Sequence, residues 1–161
     1  MNDKPLEMQI GELLRQRGLR LAVAESCTGG LIGHRITNVA GSSTYFIGGV
    51  ISYAYEAKVR LLGVRWKTLE KYGAVSQETV LEMATGVRKA LAADVGLAVS
   101  GIAGPGGGTP EKPVGTTWIG LSTPGHEQAW LHQIDGDRLI IKERAAGQAL
   151  QHLVEYLLGT H

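Results

Sequence analysis

The strongest constraint on the fold of this chain is the alternation of short apolar segments with segments of helical periodicity. The segments "LRLAVAE" (19–25) and "VGLAVS" (95–100) are almost continuously apolar, and "YFIGGVISY" (45–53) is rich in β-branched and aromatic residues. Such segments are typical of strands that are buried on both faces of a sheet. Because helical patterns separate them, the order predicts an α/β fold with helices on both faces of a parallel or mixed sheet.

Helices are predicted wherever apolar residues recur at spacings of three or four. The predicted helical segments are 6–18, 28–39, 56–64, 65–73, the segment that the N-cap Ser76 opens, and the segment from Asp135 or Asp137 to about Leu158. Gly18 is a suitable C-terminal stop for the first of these helices, and Glu78 suits the first turn behind Ser76.

The C-terminal half contains a predicted hairpin. "TTWIGLST" (116–123) and "EQAWLHQI" (127–134) are strand-like and are separated by "PGH", which predicts antiparallel pairing. The chain has 161 residues, a length that suits one domain. We therefore predict a single three-layer α/β/α domain over 1–161, with a mostly parallel mixed sheet and a C-terminal hairpin.

Composition excludes several classes of partner. The formal net charge is +1, so no strong field attracts nucleic acid or an acidic membrane surface. No apolar run approaches the roughly 20 residues of a membrane span, and the N-terminus lacks the pattern of a signal peptide. Cys27 is the only cysteine, which excludes an intrachain disulfide and suits a reducing compartment. We expect a cytoplasmic protein that binds neither nucleic acid nor membrane.

Three loops are predicted to leave the carboxyl ends of strands. They cover 26–30, 53–58 and 100–108, and all three contain polar residues or glycines. In open α/β sheets, ligands bind beyond the carboxyl ends of the strands. The sequence therefore predicts that these loops form one site.

Ser26 has two interpretations. It is either the N-cap of a helix that starts near Thr28 or a nucleophile, and a nucleophilic serine needs a base. No histidine shares a motif with it, whereas Lys58 lies in the next loop. Such a lysine must be neutral, through burial or through a neighbouring cation such as Arg138. The hydroxyl of Tyr53 is a candidate for orienting the amine.

Cys27 is a rival nucleophile, because a position at a helix N-terminus would lower the pKa of its thiol. "TGG" (28–30) and "GIAGPGGG" (101–108) can both present backbone N–H groups to an anion, but neither matches a known nucleotide-binding fingerprint. No cysteine or histidine cluster has metal-ligand spacing, so we expect no metal.

Seven segments of the chain occur in an order that resembles a known family. They are "AESCTGG", "AGSS", "YAYEAK" followed by "LGV", "GAVS", "SGIAGPGGG", "EKPVGT" and "GDR". Together they resemble the C-terminal domain family of the competence/damage-inducible protein CinA, from about residue 6 to the end. The family usually has Y-S-N-E-A-K where this chain has Ala54 and Tyr55 in place of the Ser-Asn pair.

The resemblance implies hydrolysis of the carboxamide of nicotinamide mononucleotide to nicotinic acid mononucleotide and ammonia. In the family, the serine of AESCTGG is the proposed nucleophile, which falls on Ser26. We expect Lys58 and Tyr53 to complete the catalytic set, without metal or cofactor, in a homo-oligomer. The residues expected to bind the nucleotide are Thr28, Gly29, Gly30, Ser43, Ser100, Gly101 and Arg138.

Two further functions remain open at the level of sequence. The first is a nucleotide-binding module of the same family that does not turn its ligand over. The second is a phosphate-handling enzyme that uses the glycine loops. Ammonia release distinguishes the amidase from the binding module, and phosphate release identifies the phosphate-handling enzyme.

Overall fold

The structure is a computed structural model that describes residues 3–160. The predicted domain of residues 1–161 therefore includes three residues, 1, 2 and 161, that lie outside the described range. Within that range the strands are β1 (Leu21–Glu25), β2 (Phe46–Ile51), β3 (Val95–Gly101), β4 (Thr116–Thr123) and β5 (His126–Gln133). The helices are α1 (Leu6–Arg17), α2 (Leu31–Thr37), α3 (Tyr55–Leu62), α4 (Trp66–Tyr72), α5 (Gln77–Ala90) and α6 (Arg138–Leu158).

The strands form one mixed sheet in the order β2-β1-β3-β4-β5. β1 pairs in parallel with β2 and β3, whereas β4 is antiparallel to both β3 and β5. Four of the five strands therefore point the same way, and β4 alone is reversed. β4 and β5 form the predicted hairpin across a tight turn at Pro124 and Gly125. This arrangement confirms the predicted α/β fold with a mostly parallel mixed sheet.

Helices cover both faces of the sheet. Because side chains alternate along a strand, Val23 and Leu97 face a core with α1, α2 and α6, whereas Ala22 and Ala98 face a core with α3, α4 and α5. The small residues on the second face let α5 approach the sheet closely. A Cβ added at Gly96 would lie 2.1 Å from the Ala84 carbonyl oxygen, so this contact requires glycine.

Two helix N-termini are where the sequence predicts them. The hydroxyl of Ser76 accepts a hydrogen bond from the Thr79 N–H at 3.2 Å, and the carboxylate of Asp137 accepts one from the Ile140 N–H at 3.0 Å. Asp137, rather than Asp135, is therefore the cap of α6. Both predicted caps are confirmed. An N-cap can be predicted from sequence because it depends on residues that are close along the chain.

The predicted start of α2 is wrong. The helix begins at Leu31 rather than Thr28, and its N-cap is Gly30. Gly29 and Gly30 have φ angles of +61° and +106°, which interrupt a right-handed helix. Ser26 is therefore not a helix N-cap, and residues 26–30 form a tight turn in which the Gly29 N–H donates to the Ser26 carbonyl oxygen at 3.1 Å. The segment "AGSS" (40–43), predicted as a loop, runs into a short 3-10 turn at Ser42–Thr44.

In the part of the chain that the structure describes, no helix combines the length and apolar character that crossing a membrane requires.

Candidate active site

The three predicted loops converge at the carboxyl ends of the parallel strands. Glu25 at the end of β1 lies beside Ile51 of β2 and Val99 of β3, so the segments that follow these strands meet. They enclose a cavity of about 190 Å³. Its lining residues are Ser26, Cys27, Tyr53, Ala74, Val75, Ser100, Gly101, Ala103 and Arg138.

Ser26 is the first residue after β1. Its backbone N–H donates to the Val99 carbonyl oxygen at 3.2 Å, which ties the start of the turn to β3. The side chain is buried but borders the cavity. Its hydroxyl oxygen lies 3.1 Å from the amine nitrogen of Lys58. The sequence placed these two residues in neighbouring loops, and the structure brings them into hydrogen-bond contact.

Lys58 is fully buried in the second turn of α3. Besides Ser26, its amine contacts the carbonyl oxygens of Ser52 at 2.6 Å and Tyr53 at 3.2 Å. Burial lowers the pKa of the amine to about 8, and the Cys27 side chain opposes this change. Of the two causes that the sequence left open, burial is therefore the one that lowers the pKa, and not a neighbouring Arg138.

Tyr53 and Arg138 contact each other instead of orienting the amine. Arg138 donates from Nη2 to the Tyr53 hydroxyl at 3.3 Å and from Nη1 to the Gly104 carbonyl oxygen at 2.7 Å. Lys58 contacts Tyr53 only through the backbone carbonyl, so the predicted contact between the tyrosine hydroxyl and the amine is absent. Arg138 thus joins the loop after β2 to the glycine loop after β3.

Cys27 lacks the environment of a reactive thiol. Burial raises the pKa of its thiol to about 11, so the thiol is protonated at neutral pH. The expected lowering of its pKa is wrong because α2 begins four residues later, at Leu31, and not at Cys27. A protonated thiol is a poor nucleophile, so the geometry favours Ser26 over its neighbour.

Glu25, the last residue of β1, precedes the turn and was not predicted as a functional residue. Its carboxylate is buried and accepts hydrogen bonds from the Thr28 hydroxyl at 2.6 Å, the Ile32 N–H at 2.9 Å and the Gly33 N–H at 3.1 Å. These bonds fix the turn against the first residues of α2. A carboxylate at the end of a buried apolar strand was the available signal in the sequence.

The other residues of the turn have structural contacts. Thr28 is buried and points to Glu25, whereas Gly29 is exposed at the surface of the turn. Gly30 packs near Ile51: an added Cβ would lie 3.2 Å from the terminal methyl group of that side chain. These three predicted residues therefore lie in the turn that includes Ser26 and Cys27, but none of them lines the cavity.

Ser100 and Gly101 border the cavity from β3. The Ser100 hydroxyl donates to the Ala74 carbonyl oxygen at 2.8 Å, which positions the segment between α4 and α5. A Cβ added at Gly101 would lie 2.7 Å from the Thr117 hydroxyl oxygen and 3.2 Å from the Cys27 sulfur. Glycine is required here because β4 and the turn after β1 pack closely against this residue of β3 beside the cavity.

Ser43 is a further predicted binding residue that does not line the cavity. It lies in the 3-10 turn Ser42–Thr44, which precedes β2. That turn is at the amino end of the parallel strands, whereas the cavity is at their carboxyl ends. The segment "AGSS" therefore carries no residue of this cavity.

Comparison with known protein families matches residues 3–157 to the CinA C-terminal domain. The chain belongs to the CinA C-terminal domain family. It is 49% identical over 158 residues to a CinA-like protein of Kosmotoga olearia, covering 98% of this chain and 38% of that protein. It is 50% identical over 157 residues to a putative competence-damage inducible protein of Halothermothrix orenii, again covering 38% of the relative. The chain thus spans about two fifths of the length of these curated relatives.

Solved structures agree with this assignment over nearly their whole length. A CinA superfamily protein from Klebsiella pneumoniae is 35% identical, with a TM-score of 0.92 and 96% of each chain covered. A competence/damage inducible protein from Agrobacterium tumefaciens is 37% identical, with a TM-score of 0.88 and coverage of 98% of this chain and 99% of that chain. The fold is therefore that of the family.

Proposed function

We propose that this chain is an amidase that hydrolyses the carboxamide of nicotinamide mononucleotide, with Ser26 as nucleophile and Lys58 as base. The observation that carries the proposal is the 3.1 Å contact between the Ser26 hydroxyl and a fully buried lysine amine with a pKa lowered to about 8. The substrate follows from the resemblance of the seven sequence segments to the CinA family.

The charged amine of Lys58 donates its three N–H bonds to three surrounding oxygens, and the same contacts can also serve the neutral amine once it has lost one proton. The neutral amine has two N–H bonds and one lone pair. The carbonyl oxygens of Ser52 and Tyr53 can only accept, so they take the two N–H bonds. The lone pair then faces Ser26, whose hydroxyl can donate. This arrangement has the orientation that proton transfer from serine to lysine requires.

The reaction then proceeds in two stages. Lys58 takes the proton as the Ser26 oxygen attacks the amide carbon, and it returns the proton to the nitrogen that leaves as ammonia. Water then hydrolyses the resulting ester, with Lys58 again acting as base. Backbone N–H groups between Cys27 and Gly30 are the candidates for stabilising the oxyanion, and one such donor contributes about 3 kcal/mol. The Gly29 N–H is already bonded to the Ser26 carbonyl oxygen, so it is not one of the donors available to the oxyanion.

A nucleotide-binding module without turnover is the second candidate function. The small cavity and the glycine loops would serve binding as well as catalysis. The lowered pKa of Lys58 favours the amidase, because it makes the deprotonated amine that a base needs accessible close to neutral pH, whereas a binding site does not need it.

The test is an assay of ammonia release from nicotinamide mononucleotide, with the Ser26→Ala variant beside the unmodified protein. We expect release by the unmodified protein and none by the variant. Binding without ammonia would identify the module, and release of inorganic phosphate would identify a phosphate-handling enzyme. Equal ammonia release by both proteins would exclude the serine mechanism.

A further inference from the structure

Resting on the proposed function, we propose that Lys142 is a specificity-determining residue, which binds the phosphate of the mononucleotide at the rim of the site together with Arg138. The cavity beside Ser26 holds about 190 Å³, whereas small-molecule sites usually hold about 300–1,000 Å³. It therefore accommodates the reacting end of a nucleotide, and the sugar and phosphate lie outside it, over its rim.

Lys142 lies beside the turn that borders the cavity. A Cβ added at Gly29 would be 3.6 Å from the Lys142 amine, so the amine lies against the exposed turn that begins with Ser26. Lys142 follows Arg138 by four residues on α6, and residues at this spacing share one face of a helix. The two cations thus approach the site from the same side.

The charge of Lys142 has no counter-ion in the part of the chain that the structure describes. The ion pairs there are Lys4–Glu12, Arg35–Glu7, Arg65–Glu82 and His152–Glu155. The neighbouring carboxylate of Asp137 accepts from the Ile140 N–H and is committed to capping α6. The amine of this half-buried lysine, beside the turn that contains Ser26, is therefore available to bind an anion.

Lys142 and Arg138 have different tasks. Arg138 already donates to the Gly104 carbonyl and the Tyr53 hydroxyl, so part of its guanidinium maintains the wall of the cavity. Loss of Arg138 would disturb the wall as well as the anion contact. Loss of Lys142 removes a charge without removing a hydrogen bond of the folded chain, which makes it the sharper probe of phosphate recognition.

The experiment compares Lys142→Ala with the unmodified protein on nicotinamide mononucleotide and on nicotinamide riboside, which lacks the phosphate. We expect KM for the mononucleotide to rise about ten- to hundredfold while kcat changes little, because a charge-assisted contact to the substrate is lost. The kinetics of the riboside should be unchanged, and Lys142→Arg should restore the low KM for the mononucleotide. Lys89→Ala, an exposed lysine at the far end of α5, is the matched control and should be unchanged on both substrates.

Equal losses on the two substrates, or none, would overturn the role of Lys142 while leaving the amidase intact. If the unmodified protein binds the mononucleotide without releasing ammonia, titration calorimetry replaces the kinetics. Lys142→Ala should then raise the Kd for the mononucleotide about ten- to hundredfold and leave the Kd for the riboside unchanged. In that case only the proposed reaction fails. If the unmodified protein neither binds nor hydrolyses the mononucleotide, both proposals are wrong.

Discussion

The cavity beside Ser26 holds about 190 Å³, whereas a cavity between β5 and α6 holds about 620 Å³. Both lie next to titratable side chains, the buried Lys58 in the first case and the half-buried His132 with the buried His152 in the second. The two differ in what surrounds those side chains, and this difference indicates where chemistry can occur.

Around the larger cavity, the titratable groups contact one another. The Nε2 atoms of His132 and His152 are 2.7 Å apart, and Glu155 lies 3.3 Å from Nδ1 of His152. The ring of Trp130 stacks on His152 with 4.1 Å between centroids. Burial lowers the pKa of both histidines, so both are neutral at pH 7 and one ring donates to the other.

The lining of the larger cavity contains no serine, threonine or cysteine among the described residues. The smaller cavity has less space but contains a hydroxyl in contact with a buried base. A candidate nucleophile beside a base, rather than volume, therefore distinguishes the proposed active site from the larger cavity. The following predictions test this comparison.

Ser26→Ala should have the largest effect. We expect kcat for ammonia release to fall at least about a thousandfold, because the nucleophile is lost. The fold should persist, since Lys58 keeps its contacts with the carbonyl oxygens of Ser52 and Tyr53. Ammonia assays and thermal unfolding measure the two properties separately.

Cys27→Ala is the matched control for that variant, since it truncates the adjacent side chain. Because the Cys27 thiol is protonated at neutral pH, turnover should stay within about threefold of the unmodified protein. A dead Cys27→Ala together with an active Ser26→Ala would transfer the nucleophilic role to the thiol.

Lys58→Arg should lower kcat about a hundredfold or more, because arginine keeps the positive charge but cannot release its proton at neutral pH. The measurement is the turnover of the purified variant, with circular dichroism to check that α3 is retained. If the arginine variant were active, Lys58 would act only as a fixed charge, and the serine proton would need another acceptor.

Glu25→Gln should have a smaller effect on turnover. One oxygen of the carboxylate becomes an amide nitrogen, which cannot accept, so either the Ile32 N–H and the Thr28 hydroxyl or the Gly33 N–H loses its acceptor. We expect the free energy of unfolding to fall by about 1–3 kcal/mol and kcat to fall about tenfold as the turn loosens. Glu78→Gln, which changes an exposed glutamate in α5, is the control. Unchanged kcat in Glu25→Gln would show that the turn keeps its shape without the carboxylate.

His152→Gln should have the smallest effect on ammonia release, within about twofold, because His152 is remote from the lining of the smaller cavity. Its stability should fall, since the stacking on Trp130 and the contact with His132 are lost. Urea unfolding and turnover at saturating substrate measure the two effects. A large loss of turnover with normal stability would assign chemistry to the histidine pair.

The sequence predicted features that depend on neighbouring residues. The strands, the hairpin and the caps Ser76 and Asp137 follow from local patterns, and the convergence of three loops follows from the topology of α/β sheets. The start of α2 was missed because Ser26 and Thr28 have the residue types of a cap, whereas the positive φ angles of Gly29 and Gly30 decide the geometry.

The remaining features depend on tertiary contacts. The lowered pKa of Lys58 comes from burial, which sequence spacing does not reveal. The role of Glu25 depends on N–H groups seven and eight residues away, across the turn. Ser43 was expected at the site because its segment is one of the seven that resemble the family. It lies instead at the amino ends of the parallel strands, opposite the cavity.

The pH dependence of kcat/KM for ammonia release tests the central claim most directly, because it reports the ionisation of the base in the free enzyme. Lys58 must lose its proton to act, so activity should be low below its pKa and rise with pH. The account predicts an ascending limb with its midpoint near the lysine pKa of about 8, unchanged in His152→Gln. A limb below pH 7 that disappears in His152→Gln would contradict the account and assign the base to the histidine pair.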